Sequence, residues 1–187
     1  MARWDPGAEQ RLRKAALELY AEHGYDAVTV NQIAEHAGLT RRSYFRYFPD
    51  KREVLFAGSQ RLPAAVTEAI RAVDPSVAPW PAVLQTAVAI GELLADMAED
   101  TDVRRAVIAA SPELQERERT KLASVTAALR EGLEERGLPA EDAALMAQVG
   151  SAVLQNAFSR WIDAGGKRSF RSCLDVVVES LRGELDH

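Results

Sequence analysis

Apolar residues recur along this chain at the three- and four-residue spacing of helix faces, and no segment alternates convincingly in the manner of a strand. Leu12, Ala16, Leu19 and Tyr20 share one face of a helix that Asp5-Pro6 opens and Gly24 ends after His23. Thr29 and Gln32 have the spacing of a capping box, so a second helix starts there, with Ile33, Ala34 and Ala37 on its apolar side. Gly38 suits the end of that helix, and Thr40 two residues later N-caps a third. Two short helices joined by a glycine-containing turn form a helix-turn-helix.

Asp50 and Glu53 repeat the capping-box spacing, which predicts a long helix to about Val73 with Val54, Leu55, Leu62, Ala65, Val66 and Ile70 as its apolar residues. Pro63 inside it must kink or split it. The stretch Asp74 to Pro81 is proline-rich and reads as a linker. Beyond it the pattern predicts a nearly all-round apolar helix over 82–98, a short one over 102–110, and a long charged one from Ser111-Pro112 to Arg136. This last one has a narrow stripe of Leu122, Val125, Leu129 and Leu133. Two final helices, 140–164 and 169–185, flank Gly165-Gly166. The first of this pair is apolar on more than one side, so one core does not satisfy it.

The third helix carries the chemistry. Tyr44, Tyr47 and Phe48 fall on one side, and Arg41, Arg42, Phe45 and Arg46 on the other. Arginine pairs bidentately with guanine O6 and N7 or neutralises a phosphate, and an apolar ring such as Phe45 can rest on a thymine methyl. Arg41 and Arg42 lie in the first turn, the part of a recognition helix that meets base edges.

The run Ile33-Ala34-x-x-Ala37-Gly38-Leu39-Thr40, followed by Ser43-x-Phe45-Arg46-Tyr47-Phe48-Pro49-x-Lys51, resembles the DNA-binding signature of the TetR/AcrR family of bacterial regulators. The resemblance covers about the first quarter of the chain. It implies that Thr29, Thr40 and Lys51 contact or orient on phosphates, that Arg41, Arg42 and Ser43 sit where bases are read, and that Tyr47 reaches the backbone. Phe45 stands where the family most often has Tyr, which removes a hydroxyl contact to phosphate.

Composition sharpens the division of labour. The 187 residues carry a net charge of −5, unexpected for a nucleic-acid binder. Residues 1–52, however, hold nine Lys/Arg against seven Asp/Glu, and the remainder fourteen against twenty-one. The acidic larger part repels DNA and confines binding to the basic end. With 47% hydrophobic residues, no apolar run of membrane-span length and no signal-peptide core at the N-terminus, the expectation is a cytoplasmic globular protein without membrane contact. Cys173 is the only cysteine, which excludes an internal disulfide framework and a cysteine metal cluster. It reads as a small buried apolar residue or as a reactive thiol.

The resulting expectation is an all-α chain. Residues 1–52 form a three-helix helix-turn-helix domain that binds double-stranded operator DNA, and residues 53–187 form a larger helical domain. In that larger domain the helices at about 140–185 supply a homodimer interface for an inverted-repeat operator. The resemblance further implies a small apolar or amphipathic effector there. Trp80, Met97, Phe158 and Trp161 could form apolar walls for it, with Arg104, Gln148, Gln155 and Asn156 as polar points. The C-terminal part also resembles regulators of lipid or acyl-CoA metabolism, which fixes no ligand. Two other classes compete: a DNA-binding protein governed by a protein partner, and a helical enzyme. Against the enzyme, His23 and His36 fall in the DNA-binding region. The acidic group Asp96, Glu99, Asp100 and Asp102 reads as a solvated helix end, and no phosphate loop, nucleophile elbow or zinc motif occurs. No cofactor or metal is implied.

Overall fold

The computed structural model describes residues 7–96 and 100–185, and among them regular structure is entirely helical. In chain order the helices are α1 (Ala8–His23), α2 (Val30–His36), α3 (Arg41–Tyr47), α4 (Leu62–Ala72), α5 (Pro79–Asp96), α6 (Thr101–Ala109), α7 (Pro112–Glu135), α8 (Ala140–Asp163) and α9 (Phe170–Leu185). Two 3-10 turns, Glu53–Phe56 and Ser59–Arg61, stand between α3 and α4. No single helix among the described residues is long and apolar enough to cross a membrane. The Asp5-Pro6 start and Met97 lie outside the described residues.

Two compact units divide the chain, and they are not the consecutive segments 1–52 and 53–187 expected from the sequence. The first joins Met1–Gln60 to Asp100–Arg119; the second joins Arg61–Glu99 to Thr120–His187. The cause is a shared core. Val54, Leu55 and Phe56, from the first 3-10 turn, are buried with Leu12, Tyr20, Ile33 and Tyr44, and Val107, Ile108 and Leu114 of α6 and α7 close the same cluster. Residues of α6 and α7, far beyond the helix-turn-helix in the chain, therefore complete its interior.

The long helix expected from Asp50 to Val73 is broken. Gly58 adopts φ +78°, a left-handed conformation that no α-helix contains, and Pro63 falls in the first turn of α4, where its missing N–H costs nothing. Pro79 and Pro81 likewise sit in the first turn of α5, so the linker expected from Asp74 to Pro81 shrinks. In the second unit, the Arg136 guanidinium donates to the carbonyls of Val73, Asp74 and Val77 at 2.9–3.0 Å and closes the short α4–α5 connection.

The second unit buries mainly aliphatic residues. Val66, Ile70, Val83, Ile90, Leu129 and Leu133 form one cluster, and Val88, Val153, Phe170 and Leu174 belong to another. Cys173 is buried. Helices α8 and α9 pack extensively on each other.

Candidate nucleic-acid interface

Local chemistry builds the helix-turn-helix as the sequence spacing predicts. The Gln32 amide donates to the Thr29 hydroxyl at 3.3 Å, and the Thr29 amide donates to the Gln32 side chain at 2.8 Å. Both halves of a capping box are thus present at the start of α2. At its end Gly38 takes φ +67°. The amides of Gly38 and Leu39 return to the carbonyls of Glu35 and Ala34, the paired bonds of a Schellman ending. Thr40 then caps α3 by accepting the Ser43 amide at 3.1 Å.

Helix α3 has two unlike faces. Tyr44 is fully buried, its hydroxyl donating to the Asp50 carbonyl at 3.1 Å, and Phe48 is buried beside it with ring centroids 5.4 Å apart. Burial, with the Asp50 carboxylate adding to it, pushes the Tyr44 phenol far above its ordinary range, so it stays a neutral donor. Opposite, Arg41, Arg42 and Arg46 are exposed, and Phe45 is 44% exposed. Arg41 and Arg46 are held by neighbours: the Arg41 guanidinium lies 5.5 Å from the centre of the Phe45 ring. Arg46 lies 5.0 Å from the Tyr47 ring and donates to its hydroxyl at 3.1 Å. Ser43 is half-buried, with its hydroxyl 3.1 Å from that of Thr40. Arg41, Arg42, Phe45 and Arg46 thus share one surface, while the Tyr47 hydroxyl is held by Arg46 at its edge.

Lys51 stands apart from that surface. Its ammonium donates to the carbonyls of Tyr25 at 2.8 Å and Val28 at 3.1 Å and lies 4.0 Å from the centre of the Tyr25 ring. The Tyr20 hydroxyl donates to the Lys51 carbonyl at 2.8 Å. Asp50 accepts the amides of Arg52 and Glu53 as well as the Arg52 guanidinium. Partial burial works against its charge, but these donors outweigh it and hold the carboxyl below its usual range. Tyr20 and Tyr25 are structural partners of the site that sequence reasoning missed. Asp50 and Glu53 were legible as a cap; two tyrosine side chains meeting a turn thirty residues away left no sequence signal.

The residues expected to line an effector pocket are not brought together. Trp80, Phe158 and Trp161 do meet around one apolar cluster of the second unit, with Phe158 and Trp161 stacked at 5.6 Å. Gln148, Gln155 and Asn156 are exposed instead, and the Asn156 amide is turned back on its own helix, donating to the Ala152 carbonyl. Arg104 belongs to the first unit. It donates to the Leu55 carbonyl at 2.8 Å and to Glu118 at 3.0 Å and lies 5.2 Å from the Phe56 ring centre. Its charge is satisfied there, which removes it from any pocket in the second unit. The second unit has a small internal void and an open groove among the described residues. A void of about 10 Å³ lies among Val83, Thr86, Ile90, Val125, Leu129 and Ser151, room for roughly one water. An open groove of about 270 Å³ runs between α5 and α9 over Leu84, Val88, Leu174 and Val178.

Comparison with known proteins bears on this geometry. The family described as bacterial regulatory proteins, tetR family, matches residues 12–57, which span α1 to the first 3-10 turn. The HTH-type transcriptional regulator TcmR of Streptomyces glaucescens is 42% identical over 57 residues, 26% of this chain and 25% of that protein. Such matches to curated relatives span between 20% and 34% of those proteins' lengths. Solved structures extend the likeness along the chain. A tetR-family regulatory protein from Rhodococcus RHA1 is 25% identical with a TM-score of 0.52, covering 95% of this chain and 97% of that one. The regulator FadR from Bacillus subtilis, solved in complex with stearoyl-CoA, is 20% identical with a TM-score of 0.59, covering 91% and 95%. Residues 12–57 thus carry the tetR-family signature on the helix-turn-helix, and the chain as a whole shares the fold of solved tetR-family regulatory proteins.

Proposed function

We propose that this chain is a sequence-specific DNA-binding transcriptional repressor, acting as a homodimer on an inverted-repeat operator and released by a small molecule. The observation that carries the reading is the exposed face of α3, where Arg41, Arg42 and Arg46 surround Phe45 above a fully buried Tyr44. Arg41 and Arg42, in the first turn, read base edges; Arg46, Tyr47, Thr29 and Thr40 orient on the backbone. Capping, aromatic stacking and the Tyr44 anchor hold this face in place before DNA arrives, which lowers the ordering cost of binding.

One such helix meets too few base pairs for genomic selectivity, and a two-fold dimer doubles the reading over half-sites about 34 Å apart. Helices α8 and α9 supply the dimer contact in this reading. Leu145 at 62% and Val176 at 40% exposure lie on them as large apolar side chains left in water by a single copy. The effector is an apolar or amphipathic molecule that enters the aliphatic interior of the second unit. Thr86 and Ser151 offer it hydroxyls on the lining of the central void, and Thr126 donates to Ser151 at 2.8 Å. FadR of Bacillus subtilis, with its stearoyl-CoA, supports an acyl-type ligand as the first class to try. Release requires that the effector prefer the conformation that does not bind DNA, because equal affinity for both shifts nothing.

Selection of bound fragments from random duplexes tests the reading: an inverted repeat is expected, and recovery of single, unpaired half-sites would remove the dimer. Thermal-shift screening against acyl and other apolar metabolites tests the effector. A protein partner that abolishes DNA binding, with no metabolite hit, would replace it.

A further inference from the structure

The family resemblance assigns Lys51 to a phosphate, but its surroundings in the folded chain give its charge a different use. Lys51 leaves α3 by way of Pro49 and Asp50, and its side chain runs back to the connection between α1 and α2. That connection turns from Gly24 to the Thr29 cap, so its carbonyls have no helix to bond to. Tyr25 and Val28 in it are buried, at 6% and 2% exposure. An ammonium carries three donors and no acceptor; here two reach these carbonyls and the charge faces the Tyr25 ring at 4.0 Å. Charge-assisted bonds of this kind are about twice as strong as neutral ones. The other end of the residue is fastened too, since its carbonyl accepts the Tyr20 hydroxyl, while Tyr44 of α3 donates to the neighbouring Asp50 carbonyl. Swinging Lys51 out to a phosphate would strip two carbonyls and an aromatic face of their partner, an exchange with little net gain.

We propose that Lys51 is a positioning residue. Its ammonium ties the exit of α3 to the loop that presents the Thr29 cap of α2, and so sets the angle of the arginine face without neutralising a phosphate itself. The inference rests on the reading of α3 as the helix that enters DNA. It adds that the orientation of this helix is held by a cation directed inward.

Lys51→Met keeps the length and apolar stem while removing the donors. Hydrogen exchange in the free variant is expected to accelerate at the amides of residues 25–32 by about tenfold or more, the worth of one charge-assisted bond. Affinity for the selected operator falls while affinity for random duplex is retained, and the slope of log K against log salt is unchanged. A slope reduced by about 0.9 per subunit is the signature of a lost phosphate contact and overturns the proposal whatever the exchange shows. Unchanged exchange overturns it equally. Should the variant not fold, the wild-type protein decides: the ε-methylene protons of Lys51 are expected upfield of those of Lys14, Lys121 and Lys167 through the Tyr25 ring current. They should stay there when DNA is saturating, and a shift matching the other three lysines, free or bound, contradicts the tie. If wild-type protein prefers no duplex, the reading of α3 fails, while the exchange and proton shifts of the free protein still report on the Lys51 tie.

Discussion

Tyr20, Tyr25, Tyr44, Phe48 and Phe56 are buried among the aliphatic residues of the first unit, whereas the buried clusters of the second are valine, leucine, isoleucine and alanine with Phe170 as their aromatic member. The polar chemistry divides the same way. In the first unit, hydroxyls of buried tyrosines reach the Asp50–Lys51 turn, and shielded ion pairs, Arg117 with Glu53 at 2.5 and 3.0 Å and Arg104 with Glu118 at 3.0 Å, accompany open ones such as Lys14–Glu18 and Arg119–Glu116. The bonds Arg117 donates to Glu53 raise its pKa, prevailing over burial, which opposes its charge. In the second unit the ion pairs Arg71–Glu135 and Arg130–Glu134 are far more open to solvent, where such pairs contribute little. Its buried polar side chains, among the described residues, are Thr86 and Ser151. In each unit a cation closes a loop, Lys51 on Tyr25 and Val28 and Arg136 on Val73, Asp74 and Val77. Directional bonds hold a face at a fixed angle, as a reading surface requires. Aliphatic packing is less directional, which would suit the effector-binding body proposed for this unit.

The largest test of this contrast is Phe56→Ala. Phe56 is 1% exposed, with the guanidiniums of Arg104 and Arg117 at 5.2 and 4.9 Å from its ring centre. Its truncation should cost about 3–5 kcal/mol in chemical denaturation; a loss below about 1 kcal/mol would mean that the aromatic interior is not what holds the first unit. Next comes Gly91→Ala in the second unit, where a β-carbon would stand 1.9 Å from the Phe170 ring. About 1–3 kcal/mol is expected, partly recovered by Phe170→Leu in the same chain. A cost equal to that of Phe56→Ala, without recovery, would show both units to be equally unyielding.

Arg42→Ala should leave stability unchanged and cost about 1–3 kcal/mol of discrimination at one symmetric operator position, measured by competition between single-base variants. Uniform weakening on all sequences would move Arg42 from base reading to phosphate contact. The smallest effect concerns pH. Asp50 is held below its ordinary pKa, so its contribution to stability is present above the unfolded value of about 3.9 and is lost as pH falls through the folded value. The stability gap between wild type and Asp50→Asn should therefore narrow on acidification; a gap constant with pH would mean that the carboxylate charge is not what matters there.

The parts legible in the sequence were those governed by neighbours three or four residues apart. Thr29 with Gln32, the Gly38 ending and the Thr40 cap all act within one turn, and the opposition of Tyr44 to Arg41, Arg42 and Arg46 follows from helical period alone. Contacts that join distant segments left no such trace. Arg104 reads as a polar point on an apolar helix, yet it serves the Leu55 carbonyl forty-nine residues earlier. Gln148, Gln155 and Asn156 share a helix with apolar residues, but only the fold reveals that they face outward. The Asp50–Glu53 spacing promised a continuous helix, and Asp50 does accept the Glu53 amide, but the Glu53 carboxylate goes to Arg117 and only a 3-10 turn follows, left at Ala57 and the left-handed Gly58.

The account depends most on α3 discriminating between sequences. Affinity of the purified protein for a selected inverted repeat, measured against a shuffled duplex of the same length at about 0.15 M salt, tests that directly. A ratio of about a thousand or more is predicted, and a ratio near one would leave the arginine face as a solvated surface and contradict the account.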